Sequence, residues 1–369
     1  MEIEVDQTDF YEGIQIVKQA VSSSANMPIL SGVLLSTKED ELKLVGTDLE
    51  IGIETFIDVN VKQPGEIVLP AQTLTRIVRE LPSEKVVLTT NPDNNTAQIN
   101  CSNSRFNIHG SEAEEFPALP ELGDGVKFSL KQEMFKELVE QTEFSVSQDE
   151  SKPFLTGGLL ELGDKTMKLV ATDTYRLAFR AEGVEAIEAE GKQVIIPHQT
   201  LSSVKKLLIP KEDEKIEILI TDNQALFTFS GITVVSRLIE GEFPDYNQVI
   251  PNNNPTKLTA DTGGLIQALK RAALLAKEDS DTVKFNLKEN KLVITSNAPE
   301  VGQAYEEVDV EIEGKEIEFA FNADYMIDCL KTISSEQVSL EFEDALSPGV
   351  VKPKSDTEYV YVIMPVRSA

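Results

Sequence analysis

The sequence LKLVGTD at residues 42–48 returns as MKLVATD at residues 167–173. Two further matches follow in the same order: VLPAQTL (68–74) with IIPHQTL (195–201), and EFP (115–117) with EFP (242–244). Three matches in one order and at nearly one offset are not expected by chance. Self-similarity at a fixed spacing indicates a chain built from repeated structural units.

A third, weaker copy keeps the same register. KLVITS at 291–296 takes the place of the LVxTD strand, and FNADY at 321–325 takes the place of LPAQTL. Turn-forming residues interrupt the pattern at ELGDG (121–125) and PNNNP (251–255), where we place the domain boundaries. The predicted domains are residues 1–125, 126–253 and 254–369.

Each copy shows an amphipathic helix, a run of alternating strands, a second amphipathic helix after a strand, and more strands. In the first copy, Phe10, Ile14, Val17 and Val21 form one apolar stripe. Mixed β-branched and polar residues between the helices are typical of half-buried antiparallel strands. We therefore predict an α+β fold of three repeated domains, each with two helices packed on an antiparallel sheet. The predicted helices are residues 9–22, 72–81, 131–144, 199–208, 261–277 and 323–333.

The composition is that of a globular protein with more than one core. The chain has 369 residues, of which 41% are hydrophobic and 26% charged, so two or three domains are expected. Its first ten residues, MEIEVDQTDF, lack the apolar segment of a secretory signal, and no run of eighteen apolar residues follows. We expect a cytoplasmic protein without a membrane partner. Cys101 and Cys329 are expected to be ordinary buried thiols.

The net charge of −29 argues against nucleic-acid binding through an overall basic surface. It also has the simpler interpretation that it keeps the chain soluble. The predicted helices hold eleven Lys/Arg and ten Asp/Glu, so they net about +1 while the remainder nets about −30. Helices arranged inward around an axis would give a nearly neutral to basic lining that suits a polyanion. The alternative is ordinary solvated helix faces, since helix 131–144 carries four glutamates. The candidates for phosphate contact are Arg76, Arg79, Lys205, Lys206, Lys270 and Arg271.

No catalytic, cofactor or metal site is predicted. The glycines form neither a G-x-x-x-x-G-K-[ST] loop nor a strand-bound G-x-G-x-x-G. His109 and His198 lie in different repeats and have no metal-ligand spacing. The chain is therefore expected not to be an enzyme and to need no cofactor.

The repeated Thr-Asp pairs, at 47–48 and 172–173, allow two interpretations. An aspartate can act as a nucleophile or as an acid or base in catalysis. Thr and Asp side chains can equally close a turn after a strand by hydrogen bonding to nearby backbone groups. Because the pair recurs in two domains, we favour the structural role.

Three segments carry a specific resemblance. ATDTYRLA at 171–178 resembles the A-T-D-x-[HY]-R-L-A segment of bacterial beta clamps, the beta subunits of DNA polymerase III. YVIMPVR at 361–367 and GEFPDY at 241–246 are similar to two other segments of that family, and the resemblance runs the full length of the chain. It implies a DNA sliding clamp, or processivity factor, in which a head-to-tail homodimer closes a six-domain ring with helices lining the hole. By position, the implied seam residues are Phe106, Leu274 and Leu275, for which ordinary core is the alternative.

The resemblance also implies the partners. They are duplex DNA held without sequence specificity, the DNA polymerase III alpha subunit, the clamp loader complex, other replication and repair proteins that carry a clamp-binding motif, and a second copy of the chain. By the same resemblance, protein partners are expected to insert a short linear peptide, typically a Gln followed by Leu and Phe anchors, into a cleft between domains two and three. The implied cleft residues are Leu155, Thr172, Thr174, Tyr175, Arg176, Leu177, Pro244, Val249, Val362, Met364, Pro365, Val366 and Arg367.

The sequence departs from the family at a few positions. Thr174 stands where many members have Gly, Tyr175 stands where His is also common, and Ser368-Ala369 extends the usual terminus. The resemblance therefore leaves the peptide preference of this chain open. Two rival readings stay open: an enzyme with a carboxylate pair from Asp48 and Asp173, and a repeat scaffold with no DNA in its hole. Whether the chain is a replicative clamp or a paralogue also stays open.

Overall fold

The computed structural model describes most of the chain: residues 1–22, 27–120, 123–184, 191–251, 253–277, 281–356 and 358–366. Arg367, Ser368-Ala369, and residues 121–122 and 252 of the predicted boundaries lie outside this part. In the described part, no helix combines the length and the apolar character needed to span a membrane.

The first repeat has helices close to both predicted positions, α1 (Gln7–Val17) and α2 (Ala71–Glu80). A 3-10 turn, Lys18–Ala20, continues α1, so the α-helix is shorter than the predicted 9–22. Phe10, Ile14 and Val17 are fully buried, and α1 packs on α2 and on the strand beginning at Ile51. The strands are β1 (Glu2–Asp6), β2 (Gly32–Lys38), β3 (Glu41–Thr47), β4 (Ile51–Asp58), β5 (Asn60–Gln63), β6 (Glu66–Pro70), β7 (Lys85–Asn91), β8 (Thr96–Cys101) and β9 (Ser104–His109).

The second repeat has the helices α3 (Gln132–Glu140) and α4 (His198–Leu207). The predicted helix 131–144 is shorter than expected, because a separate 3-10 turn at Glu143–Ser145 follows α3. The strands are β10 (Val126–Lys131), β11 (Gly157–Leu162), β12 (Thr166–Thr172), β13 (Arg176–Gly183), β14 (Lys192–Pro197), β15 (Lys215–Ile220), β16 (Gln224–Phe229) and β17 (Ile232–Arg237).

The third repeat has the helices α5 (Thr262–Ala276) and α6 (Ala323–Lys331), which pack on each other. Both helices begin at a side-chain cap: Asp261 accepts from the backbone N–H of Gly264, and Asn322 from that of Tyr325. The strands are β18 (Thr256–Asp261), β19 (Thr282–Lys288), β20 (Lys291–Ala298), β21 (Gly302–Glu313), β22 (Glu318–Asn322), β23 (Gln337–Phe342), β24 (Gly349–Pro353) and β25 (Tyr359–Ile363).

Backbone contacts divide the chain into two compact units, and the division falls inside the second repeat. The first unit is Met1–Gln132 with Lys206–Leu238, and the second is Glu133–Lys205 with Ile239–Ala369. The first unit contains the sheets β5-β1-β7-β8-β9 and β10-β15-β16-β17-β4-β3-β2-β6. The second contains one sheet, β14-β11-β12-β13-β25-β24-β23-β18-β21-β20-β19-β22. Every strand pair in the described residues is antiparallel, as predicted. The middle repeat is divided because β17 joins β4 and β13 joins β25.

The hydrophobic core of the second unit is rich in aromatic rings. Phe285, Phe319, Phe321 and Phe342 contact one another with ring centroids 4.1–6.2 Å apart. Aromatic pairs at these distances add to the stabilisation from burial alone. Cys329 is buried in this core as a free thiol, and Cys101 is a buried free thiol in the first unit, as predicted.

Candidate functional site

The Thr-Asp pair of the second repeat closes the turn between β12 and β13. The Thr172 hydroxyl accepts from the backbone N–H of Thr174 at 3.1 Å and donates to the carbonyl of Arg176 at 2.7 Å. One carboxylate oxygen of Asp173 accepts from the backbone N–H groups of Tyr175 and Arg176, each at 2.9 Å. These bonds hold Thr174 at φ 80°, in the left-handed region.

The turn of the first repeat has the same hydrogen bonds. Thr47 accepts from Leu49 N–H and donates to the Ile51 carbonyl, and Asp48 accepts from Glu50 and Ile51 N–H. Leu49 takes the place of Thr174 at φ 78°. Both Thr-Asp pairs therefore have the structural role that we favoured, since their side chains are used to fix backbone.

A small, mostly apolar cavity of about 170 Å³ opens beside the turn of the second repeat. Its position follows from strand pairing, because β25 lies beside β13 with Leu177 opposite Val362 and Arg176 opposite Ile363. Met364, just beyond β25, donates its backbone N–H to the Tyr175 carbonyl at 2.9 Å. We call it the peptide cavity, after the peptide binding that the resemblance implies for this place; it is lined by Thr172, Thr174, Arg176, Leu177, Pro244, Asp245, Tyr246, Val249, Val362 and Met364.

Arg176 is held in place at the edge of the peptide cavity. Its guanidinium bonds Asp173 at 3.0 Å and Asp328, on α6, at 3.1 Å. The same group lies 4.2 Å from the ring centroid of Tyr325 and 5.6 Å from that of Phe144. Burial acts to lower the pKa of Arg176, but its acidic neighbours outweigh that effect and the pKa is raised. A guanidinium engaged in this way positions the turn of the second repeat against α6, more than it offers donors to a ligand.

Tyr246 forms a fixed wall of the peptide cavity. Its hydroxyl donates to the Glu161 carboxylate at 2.5 Å and accepts from the Lys168 ammonium at 3.2 Å. The ring also contacts Phe179, with 6.3 Å between centroids. Burial, followed by the bond to Glu161, raises the pKa of Tyr246, so the phenol stays neutral.

Family models for the three domains of the DNA polymerase III beta subunit match almost the whole chain. The N-terminal model matches residues 1–120, the central model 129–245 and the C-terminal model 247–367. The chain belongs to the DNA polymerase III beta subunit family. This confirms the resemblance and the three-repeat organisation inferred from the sequence.

Similar proteins agree with this family. The beta sliding clamps of Staphylococcus epidermidis and Staphylococcus aureus are 36% and 34% identical, and in each case the alignment covers 100% of both chains. Among solved structures, the DNA polymerase sliding clamp of Bacillus subtilis matches with 32% identity and a TM-score of 0.94. A putative DNA polymerase III beta subunit from Eubacterium rectale matches with 31% identity and a TM-score of 0.93. Both structures cover 100% of this chain and are themselves covered completely.

The other predicted cleft residues within the described part of the chain do not line the peptide cavity. Leu155 is buried and does not line it, and Pro365 is partly buried. Tyr175 is exposed and lines an adjoining cavity, and Val366 lines another that also includes Leu346. Arg367 lies outside the described residues. The cavity thus brings together eight of the predicted residues, and their role in binding stays a prediction.

Sequence reasoning missed Asp245 and Tyr246, which also line the cavity. Both belong to the GEFPDY segment (241–246), and the resemblance of this segment to the family is the signal that could have identified them. An aromatic residue after an acidic one gives no indication, by itself, that its ring faces a cavity. Asp245 caps the 3-10 turn Tyr246–Val249 by accepting from Asn247 N–H at 3.2 Å, which orients that wall.

The predicted phosphate-contacting residues differ in availability. Arg76, Lys206 and Lys270 are exposed, and no ion pair is found for them among the described residues. Arg79 pairs with its neighbour Glu80 at 2.9 Å, and Arg271 with Glu306 at 2.5 Å. Lys205 is mostly buried against Glu143, so phosphate contact would require it to leave that carboxylate. The six residues lie on α2, α4 and α5, as predicted.

The predicted seam residues are not ordinary core of a single chain. Leu274 is 70% exposed and Phe106 is 38% exposed, while Leu275 is half-buried. Within the described residues, β9, which carries Phe106, pairs only with β8. In the same described part of the chain, residues 302–309 of β21 pair only with β20, and Tyr305 there is 62% exposed. Each unit therefore presents a free strand edge beside an exposed large apolar side chain.

The described residues contain no group of three or more His, Cys, Asp or Glu side chains placed to hold a metal ion. His198 Nε2 lies 3.9 Å from Glu143 Oε2, and His109 is exposed at the end of β9.

Proposed function

We propose that this chain is a DNA sliding clamp: a processivity factor that encircles duplex DNA and tethers the replicative polymerase through the peptide cavity. The observation that carries the proposal is an apolar cavity bordered by β13 and β25 in a chain whose three repeats all match the beta subunit family. Tethering raises the effective concentration of a polymerase at the primer end, which increases processivity without catalysis. In this proposal the chain is a cytoplasmic binding protein and not an enzyme.

The proposed ligand of the peptide cavity is a linear peptide with a Gln followed by Leu and Phe anchors. Leu177 and Val362 form a buried apolar floor, while Val249 and Met364 are exposed at the sides. Burying an aliphatic anchor in such a cavity stabilises the complex by about 25 cal/mol per Å² of apolar surface removed from water. The proposed protein partners are the DNA polymerase III alpha subunit, the clamp loader complex, and other replication and repair proteins with this motif.

The proposed assembly is a head-to-tail homodimer. A strand edge left free in a monomer is a template for pairing with another chain. We propose that β9 of one chain pairs with β21 of its partner, with Phe106 and Leu274 in the seam. Because two different surfaces join at each seam, two copies of the seam close a ring. Each chain contributes the domains 1–125, 126–253 and 254–369.

Topological binding explains how an acidic protein holds DNA. A net charge of −29 repels phosphate at long range, so tight electrostatic binding is not expected. A closed ring stays on DNA because it cannot leave without opening, and weak contacts from Arg76, Lys206 and Lys270 allow it to slide. The rival scaffold without DNA would not be affected by changing these residues to Glu.

Fluorescence anisotropy of a labelled Gln-Leu-Ser-Leu-Phe peptide tests the cavity. Val249→Arg places a cation in the cavity wall, and we expect a loss of at least about tenfold in affinity, or ~1.4 kcal/mol. The matched control is Ile209→Arg, because Ile209 is an exposed aliphatic residue that does not line the cavity. Equal affinity of the two variants, or no saturable binding by the unmodified chain, would rule out the peptide site.

Retention on circular DNA tests encirclement. After loading by a clamp loader with ATP, the chain should co-elute with a nicked circular plasmid and leave it once the plasmid is cut to a linear form. Retention that survives linearisation would indicate direct DNA binding, and a chain that never loads would contradict the ring. Light scattering should give a mass twice the chain's 40.7 kDa.

A further inference from the structure

The first unit contains a counterpart of the peptide cavity. There β17 lies beside β4 with Val235 opposite Gly52, as Val362 lies opposite Leu177 in the second unit. Arg237 donates its backbone N–H to the Glu50 carbonyl at 2.9 Å, as Met364 does to Tyr175. The backbone that shapes the peptide cavity is therefore present a second time, built from the first and second repeats.

A cavity of about 190 Å³ opens at this place, close to the size of the peptide cavity. We call it the second cavity; it is lined by Thr47, Leu49, Glu50, Ile51, Gly52, Pro117, Ala118, Leu119, Pro120, Gln224, Val235 and Arg237. Leu119 packs over Gly52 so closely that a Cβ placed there would lie 2.3 Å from its Cδ2. Leu119 thereby supplies the apolar floor that Leu177 supplies in the peptide cavity.

The two cavities differ in the charge at their rims. The exposed residues Asp245 and Met364 both line the peptide cavity, so its rim carries a carboxylate. In the second cavity, Ala118 replaces Asp245 and Arg237 replaces Met364. Arg237 pairs with Glu50 at 3.6 Å, but both side chains are more than half exposed, so this pair contributes little. The guanidinium is available to a carboxylate from a ligand.

We propose that the second cavity binds a linear peptide in which an aliphatic side chain is followed by an acidic residue. The aliphatic side chain enters between Ile51, Leu119 and Val235, and the carboxylate bonds the Arg237 guanidinium, displacing Glu50. The same acidic residue at the peptide cavity would face Asp245, so the two cavities select different peptides. This inference rests on the proposed function, because it takes the peptide cavity as the template for a peptide site.

Methyl NMR of the full chain, labelled at Ile, Leu and Val methyls, tests the proposal. The probes are acetyl-Gly-Ser-Leu-Asp-Gly-Ser-amide and the same peptide with Asn for Asp. The Asp peptide should shift the Ile51, Leu119 and Val235 methyls and bind about fivefold more tightly than the Asn peptide. Arg237→Gln should remove this preference, so that both peptides bind alike.

The Gln-Leu-Ser-Leu-Phe peptide, titrated into the same sample, separates the two claims through the Leu177 and Val362 methyls. If these respond and the Asp peptide leaves Ile51 and Val235 unmoved, the second-cavity proposal is wrong and the proposed function stands. If the Asp peptide shifts only Leu177 and Val362, the proposal is equally wrong. If Gln-Leu-Ser-Leu-Phe does not shift the Leu177 and Val362 methyl signals, the proposed peptide binding at the peptide cavity is wrong. Equal binding of the Asp and Asn peptides to the unmodified chain would overturn the role of Arg237.

Discussion

Replacing Asp173 by Asn removes a charge from the turn of the second repeat and keeps the shape of the side chain. Asn retains an oxygen that can accept the two backbone N–H bonds now made by Asp173. It cannot form the ion pair with Arg176. The first repeat supplies a matched control, because Asp48 accepts the same two backbone bonds while position 51 is Ile instead of Arg.

The expected cost follows from burial. The side chains of Arg176 and Asp173 are only 11% and 14% exposed, and a hydrogen bond between charged groups contributes about 1.5–3 kcal/mol to stability. Arg176 keeps its bond to Asp328, so it is not left without a partner. We therefore expect Asp173→Asn to cost about 1–2 kcal/mol. Asp48→Asn also leaves the turn bonds in place and removes no bond to an arginine at position 51, so it should cost less than Asp173→Asn.

Differential scanning calorimetry at one protein concentration measures the difference. The second unit has about 200 residues, so about 1 kcal/mol shifts its melting temperature by roughly 2–4 °C. Asp173→Asn should lower the melting temperature by about 2–8 °C, and Asp48→Asn should lower it by less. The concentration must be fixed because dimerisation itself raises apparent stability.

Equal melting temperatures for the two variants would contradict this prediction, since they would show that the Arg176 ion pair contributes nothing beyond the turn. The same variants bear on the rival enzyme reading. That reading expects Asp173→Asn to abolish turnover of some substrate while the fold is kept, whereas a clamp has no turnover to lose. A weakened affinity for Gln-Leu-Ser-Leu-Phe should accompany Asp173→Asn, because Arg176 borders the peptide cavity.

Three shorter predictions address strain, thiols and assembly. Thr174→Gly and Leu49→Gly should each raise stability by roughly 0.5–1 kcal/mol. Both residues have a positive φ, a conformation that is about 1–2 kcal/mol less favourable for a residue with a side chain. Lower melting temperatures in both variants would contradict this. Burial raises the pKa of Cys329 to about 12 and also raises that of Cys101, so neither thiol should react with Ellman's reagent until the chain is unfolded in urea; a fast-reacting thiol in the folded chain would be inconsistent. Leu274→Glu should halve the mass measured by light scattering, and an unchanged mass would exclude Leu274 from the seam.

Local patterns in the sequence located the helices well and their ends less well. The stripe Phe10, Ile14, Val17 is buried in α1, and the second-repeat helix appears within the predicted 131–144. That helix ends at Glu140, after which the Thr142 hydroxyl bonds the Leu138 carbonyl at 2.8 Å. Apolar periodicity continues through the following 3-10 turn, so it cannot mark where α-helical hydrogen bonding stops.

Such local patterns could not predict contacts between residues far apart in sequence. The pairing of β17 with β4 joins residues about 180 positions apart, and nothing in either strand's alternation specifies its partner. The wall formed by Tyr246 and the neutralisation of Lys205 by Glu143 depend on the same long-range folding. Most of the cavity residues were instead identified from the resemblance to the family. Members of a family share their strand pairings, so a resemblance locates these residues although the sequence pattern does not predict the pairings.

The electrostatics of the helices favour sliding over tight binding. Of the six candidates for phosphate contact, Arg79, Lys205 and Arg271 already pair with carboxylates in the described part of the chain. Each phosphate that a protein neutralises adds to affinity and to its salt dependence, so internal pairing lowers both. A protein that holds DNA by affinity would bind it more weakly because of this internal pairing. A closed ring would still stay on DNA, because that depends on its seams remaining closed. Weaker phosphate contacts would also reduce the drag on its movement along DNA.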